Sequence, residues 1–303
     1  MNGWLSHATL ALLVVLLAGW LLLDEAPLAT DKILTTLAAS EVTQLTLRHR
    51  SSDQEIRLGR QAGLNGAAGE WQLLAPLNFA AESYKVESLL KILSAAVISH
   101  FKPTADLGDY GLATPSLQMV FNNTLTLNFG KQTPVDNHRY LQLGDEIFVV
   151  RDTVYAMAGM AVGDYLNRHP LPAGALIASI HTGTHTLTFA EGGWQVEPAV
   201  AGLNSEQITE WLNSWRHLYA MNVEWDVAAA AALVAATDRV VQFTFQEEGV
   251  PALQLHYRQQ AGEVQLVNAQ SGVIYTIHES SATTLFDITA MVRETPDAGA
   301  AGG

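Results

Sequence analysis

The first 23 residues constrain everything that follows. From Met1 to Leu23 there is no Asp, Glu, Lys or Arg, and Ala8–Leu23 is almost wholly apolar. Roughly 20 such residues coiled as a helix match the hydrocarbon core of a bilayer. The stretch therefore reads as a transmembrane anchor over residues 1–25, meeting lipid through residues 5–23 and above all through Leu5, Leu10, Leu13, Val15, Leu17, Trp20 and Leu23. Two other readings are a cleaved signal peptide and a buried soluble helix. The first is disfavoured because the leading region has only its amine and His7, and because Pro27 spoils the small-x-small site ending at Ala29. The apolar run is also long for the second.

Orientation follows from the flanks. Cytoplasmic flanks are rich in Lys and Arg, yet the far side of the anchor opens with Asp24-Glu25 and reaches its first cation only at Lys32. No basic cluster holds the C-terminal part in the cytosol, so export of that part is expected. In a bacterium this means a single-pass protein of the inner membrane with its bulk in the periplasm.

The 278 residues beyond the anchor, from a chain of 303, suffice for two ordinary domains. With 49% hydrophobic residues and few charges they can bury a real core. The net charge of -14 repels phosphate backbones, which argues against nucleic acid as a partner. There is no cysteine, so disulfides, thiolate metal sites and cysteine nucleophiles are excluded.

After a linker over residues 26–40, alternation of apolar and polar residues marks strands at Val42–Arg48, Glu55–Leu58 and Glu70–Pro76, with a Gly- and Asn-rich hairpin loop at Gln61–Gly69. Val86, Leu89, Leu90, Leu93, Val97 and Phe101 recur at three- and four-residue intervals, predicting an amphipathic helix over Ala81–Phe101. An irregular connector, Ala105–Pro115, leads to hairpins turned at Asn122-Asn123 and Gly144-Asp145, and a helix is expected over Thr153–Asn167.

The pattern then returns. Gly69-Glu-Trp-Gln72 is answered by Gly192-Gly-Trp-Gln195, and Leu141-Gln-Leu143 by Val264-Gln-Leu266, each displaced by 123 positions. Strands at Leu176–His181 and Thr184–Phe189 precede Trp194. A helix over Ser205–Met221 follows, with Asn204 and Gln207 placed as a capping box. The Ala-rich Asp226–Asp238 reads as a helix, and strands follow at Val240–Gln246, Ala252–Arg258, Glu263–Val267 and Val273–His278. The expected fold is α+β: an N-terminal transmembrane helix, then two similar units of antiparallel sheet packed against helices, at 41–172 and 173–292, with a disordered tail at 293–303. Internal duplication explains the shared order; two unrelated α+β domains are the alternative.

Gly69-x-Trp-x-Leu through Pro76, the helix around Val86–Leu93, Asp106-Leu-x-x-Tyr110-Gly-Leu-x-x-Pro115, the turn at Gly130, and Val149 near Val154-Tyr155 together resemble the bacterial domain-of-unknown-function 4340 family. The likeness covers Val42–Pro172 directly and the second unit through the repeat. It implies a membrane-anchored or exported companion of an ABC-type transport system of the gliding-motility or auxiliary kind. It implies no catalytic residue and no reaction.

The residues themselves offer little chemistry. His181-Thr-Gly-Thr-His185 puts two imidazoles four apart, but across a turn and without a third ligand. No phosphate-binding glycine loop or Gly-x-Ser-x-Gly elbow occurs. Asp106 with Asp109, and Glu247 with Glu248, fall in expected turns and read as solvated surface. Trp211, Trp215 and Tyr219 share one helical face and read as core, with partner binding as the functional alternative. Trp71 and Trp194 are expected to pin helix to sheet. The expectation is a non-catalytic accessory subunit of an ABC-type system, without cofactor or metal, whose partner is a permease or ATPase. A structural or assembly subunit of another inner-membrane complex is the alternative, and a periplasmic hydrolase a third reading.

Overall fold

The computed structural model describes residues 33–50, 55–62, 68–104, 106–260, 262–282 and 284–293. The anchor residues Leu5, Leu10, Leu13, Val15, Leu17, Trp20 and Leu23 lie outside this set, as do residues 26–32 of the linker and the tail from residue 294. Among the described residues no helix is long and apolar enough to cross a membrane.

The fold is α+β with two antiparallel sheets and few helices. The chain runs through β1 (Gln44–His49), β2 (Glu55–Ala62), β3 (Ala68–Ala75), β4 (Phe79–Ala80), α1 (Ser83–Leu90) and β5 (Val97–Phe101). It continues with β6 (Leu117–Phe121), β7 (Leu125–Gln132), β8 (Arg139–Leu143), β9 (Glu146–Val150) and the short α2 (Tyr155–Ala158). Then come β10 (Ile177–His181), β11 (Thr186–Ala190), β12 (Gly193–Glu197), α3 (Ser205–Arg216), β13 (Asn222–Trp225) and α4 (Val227–Ala235). The last elements are β14 (Val240–Phe245), β15 (Leu253–Gln260), β16 (Glu263–Asn268), β17 (Val273–His278), α5 (Glu279–Ala282) and α6 (Ala290–Arg293).

By internal packing the chain forms two compact units. One is built on residues up to Glu55 with Glu87–Gly159, the other on Ile56–Val86 and the chain from Met160 onward. In the first unit the strands lie in the order β1-β6-β7-β8-β9-β5. Alternation does the work: Leu45, Leu47, Leu117, Met119, Leu127, Phe129 and Leu141 are buried, while Arg48, Gln118, Asn128 and Gln142 line up across four strands on the opposite face. Those polar side chains bond one another in sequence: Arg48 donates to Gln118 at 3.0 Å and Gln118 to Asn128 at 2.9 Å. Asn122 and Asn123 adopt φ of 48° and 57° in the three-residue connection to β7, where Thr124 N–H donates to the Phe121 carbonyl at 3.0 Å, a left-handed conformation that asparagine tolerates.

The second unit contains β4-β3-β2 and an eight-stranded sheet ordered β12-β11-β10-β14-β15-β16-β17-β13. Helix α3 buries Ile208, Trp211, Leu212 and Trp215, and its start is closed by the Asn204–Gln207 box, with Gln207 N–H donating to Asn204 at 2.9 Å. Helix α4 begins at Asp226, whose carboxylate accepts from Ala229 N–H, and buries Ala230 and Leu233 against Val267 and Ile274.

Three helical expectations are corrected. The helix expected over Ala81–Phe101 stops at Leu90, tightens into a 3-10 turn at Lys91–Ser94, and gives way to β5. Its apolar spacing fitted a helix, but β-branched Val97 pairs with Val150 of β9, Ile98 lies at a bulge, and His100 stacks on Phe148 at 5.6 Å. The helix expected over Thr153–Asn167 is only α2 and a 3-10 turn at Val162–Tyr165. Gly159 and Gly163 divide it, because each lets backbone approach what a side chain would strike: His49 Nε2 at 3.1 Å and the Val223 carbonyl at 2.4 Å. Helix α3 ends at Arg216 rather than Met221, since Met221 N–H donates to Thr276 at 2.8 Å to begin β13. The hairpin loop expected over Gln61–Gly69 shrinks, for β2 reaches Ala62 and β3 starts at Ala68.

Candidate functional site

In the second unit, the ends of β14 and β15 and the segment that follows β17 enclose two clefts sharing Arg239 and Gln259. The wider, about 610 Å³, is bounded by the Ala235–Arg239 turn and Arg258. The narrower, about 330 Å³, is walled by Tyr257 and Phe286 with Glu279 and Asp287 at its rim.

The aromatic wall is assembled by α3. The buried indoles of Trp211 and Trp215 donate to the carbonyls of Thr284 and Leu285 at 2.9 and 3.1 Å, which fixes the segment just before Phe286. Trp215 packs edge-on against both Phe243 and Phe286, at 5.0 and 5.8 Å between centroids. Phe286 is thereby laid flat on Tyr257, 3.8 Å away with 7° between ring planes. Burial pushes the Tyr257 hydroxyl above its usual range; Arg239 nearby works against that and Asp238 reinforces it. Tyr257 thus stays a neutral hydrogen-bonding group at neutral pH.

Two cations border the clefts. Arg239 is exposed, held through its backbone N–H donating to Thr237 Oγ1 at 3.1 Å. Arg258 is half-buried, and its Nη2 donates to Gln260 at 2.8 Å, while its Nε is enclosed without an acceptor among the described residues. Neither arginine has a carboxylate partner among the described residues. On the opposite rim Gln259 bonds Glu279. Unpaired guanidinium beside stacked aromatics is a surface for recognition.

The three aromatics singled out from sequence are separated by the fold. Trp211 and Trp215 are wholly buried and shape the cleft wall from behind. Tyr219, 52% exposed, sits in another patch against His169 at 5.2 Å and under Arg168, whose guanidinium also donates to the Met221 carbonyl. Sequence reasoning missed Tyr257, Phe286, Arg239 and Arg258. Their juxtaposition has no local signal, apart from the Trp-bearing face that reaches for carbonyls far along the chain.

The remaining constellations are local. His181 and His185 bond Thr186 and Thr184 at 2.9 and 3.2 Å around Gly183, and no group of three or more His, Cys, Asp or Glu able to hold a metal occurs among the described residues. Asp106 accepts from Gly108 N–H, and Glu247 from Leu176 N–H. Trp71 is buried beneath the Arg60 guanidinium at 4.9 Å, whereas Trp194 is half-buried and leans on Phe189. In the first unit, Arg139 is 7% exposed and held by Asp152 at 2.8 and 2.9 Å, the Gly130 carbonyl at 2.6 Å and the Tyr155 ring at 3.6 Å. That network is satisfied internally and ties β8 to the chain after β9.

The Tyr-Gly-Leu-x-x-Pro element is architectural as well. Gly111 takes φ of 68°, Leu112 is buried, and a Cβ at Gly130 would meet the Tyr110 carbonyl at 2.3 Å, so the motif docks backbone to backbone on β7. A family model described as "Domain of unknown function (DUF4340)" matches residues 71–234, more than half of the chain. No curated protein and no solved structure matches it.

Proposed function

Because this chain belongs to the DUF4340 family, we propose that it serves as a non-catalytic accessory subunit of an ABC-type transport system. Its charge-free apolar N-terminus anchors it in the bacterial inner membrane, and its folded units in the periplasm bind a partner protein or substrate. The observation that carries the binding role is the cleft of Arg239, Arg258, Tyr257 and Phe286, whose side chains are those that anchor interfaces. The anchor rests on the sequence of Met1–Leu23, and the transport association on the family resemblance.

We also infer that the two sheets descend from one duplicated unit. Support comes from the matching orders β1-β6-β7-β8-β9-β5 and β10-β14-β15-β16-β17-β13, and from Trp71 and Gln142 recurring as Trp194 and Gln265 at a constant displacement. Isolation of the full chain in mild detergent tests the function. A permease and an ATPase should accompany it in fixed ratio, and Arg239→Glu with Arg258→Glu should reduce that ratio at least about tenfold. Recovery of the chain without either component removes the proposal.

A further inference from the structure

Strands β3 and β12 occupy corresponding places, each the second strand of a hairpin and each followed by a proline, Pro76 and Pro198. Their outer edges differ. Beside β3 lies β4, pairing Gln72 with Ala80 and Leu73 with Phe79, and Ala81 N–H donates to the Trp71 carbonyl at 3.0 Å. Strand β4 is covered in its turn, its Ala80 carbonyl accepting from Asn167 N–H at 2.9 Å. Among the described residues strand β12 pairs with β11 alone and ends its sheet.

The register identifies what that bare edge presents. The two-residue turn Glu191-Gly192, with φ of 52° and 81°, makes Ala190 and Gly193 the closing pair. In an antiparallel ladder the hydrogen-bonded pairs alternate, so Gly193, Gln195 and Glu197 bond β11, and Trp194 and Val196 turn their N–H and C=O groups outward. These are the counterparts, 123 residues on, of Trp71 and Leu73, the positions β4 serves. Trp194 and Val196 bond no partner on that side among the described residues.

The side chains specify the occupant. Phe189 is 41% exposed and tilts against Trp194 at 5.5 Å, giving an apolar seat on the edge hairpin. Exposed Glu191 and Glu197 bracket it, and no Lys or Arg occurs between Thr184 and Glu197. At β3 the corresponding indole lies under the guanidinium of Arg60, its partner on β2, whose place beside Trp194 is taken by Phe189 on β11. We propose that the open edge of β12 receives an extended basic segment of a partner protein as an added strand. Its backbone bonds Trp194 and Val196, its apolar side chains lie on the face that Phe189 and Trp194 share, and its cations lie on the opposite face with Glu197 and reach Glu191 at the turn. This surface shares no residue with the arginine-aromatic cleft and stands independently of it.

The full chain in lipid nanodiscs tests this by backbone hydrogen exchange with two capped probe hexapeptides, Arg-Phe-Arg-Val-Arg-Val and Glu-Phe-Glu-Val-Glu-Val. The basic peptide should slow exchange at Trp194 and Val196 by about tenfold, and the acidic one should not. Val196→Pro removes an outward donor while leaving in place the N–H groups that bond β11, and should abolish the slowing at Trp194. Reversing the exposed charges, Glu191→Lys with Glu197→Lys, leaves the strand intact and should transfer the response to the acidic peptide. Equal slowing by both peptides, no slowing by either, or slowing that grows with protein concentration without peptide overturns the proposal, the last because a second copy then fills the edge.

Discussion

At Gly163 the backbone of the 3-10 turn lies so close to β13 that an added Cβ would stand 2.4 Å from the Val223 carbonyl and 2.9 Å from the Glu224 Cα. Both obstacles are backbone, which cannot rotate aside as a side-chain tip would. Gly163→Ala is therefore expected to cost about 2–3 kcal/mol, read as a lower urea midpoint with an unchanged slope. A variant as stable as the parent would show that the turn does not clamp β13. Arg139 makes the opposite kind of prediction, because it is a buried charge that depends on its partners. Arg139→Ala strands the Asp152 carboxylate and should cost about 3–5 kcal/mol, whereas Arg139→Met with Asp152→Leu removes both charges and should recover most of that. If the double variant is no better than the single one, the guanidinium's contacts with Gly130 and Tyr155 matter more than the ion pair.

Among elements, α3 joins local chemistry to the cleft. Asn204→Ala removes the side chain that receives Gln207 N–H and should cost about 1 kcal/mol in thermal or urea unfolding. Loss of less than a few tenths would mean the helix start is held by packing alone. That cap was legible because its signal is contained in four consecutive residues, as was the Asn122-Asn123 turn in two. Strand β5 was not, since Val97 and Phe101 satisfy helical and extended spacing alike and only β9 decides between them. Strand β13 escaped notice for another reason: Asn222-Val-Glu-Trp225 alternates polar and apolar residues, but four residues between two helical segments are too short a run to stand out, and their pairing with β17 is what fixes them. The cleft was illegible in a further sense. Tyr257 and Phe286 meet only because Trp211 and Trp215 bond Thr284 and Leu285, a relation between residues some 70 positions apart that no local pattern encodes.

For the molecule as a whole, the phenols of the second unit set an alkaline limit. Tyr165 and Tyr275 are wholly or almost wholly buried, and burial raises both hydroxyls far above their ordinary value of 10.0, with Asp164 adding to the effect at Tyr165. Below about pH 10 both groups are protonated in the folded and the unfolded chain, so they give stability no slope. Above it the unfolded chain releases these protons while the folded chain keeps them. The unfolded state then binds fewer protons, and stability falls by about 1.4 kcal/mol per pH unit for each group until the folded unit itself ionises. The urea midpoint should thus be level between pH 8 and 9.5 and decline steeply beyond 10. Tyr275→Phe should make the decline shallower and cost little at neutral pH, because the hydroxyl it removes has no partner among the described residues to lose. A Tyr275→Phe chain that declines as steeply as the parent would assign the alkaline loss to general charge repulsion in a molecule already at -14. In that case added salt should restore the midpoint, which it cannot do for a phenol shielded from solvent.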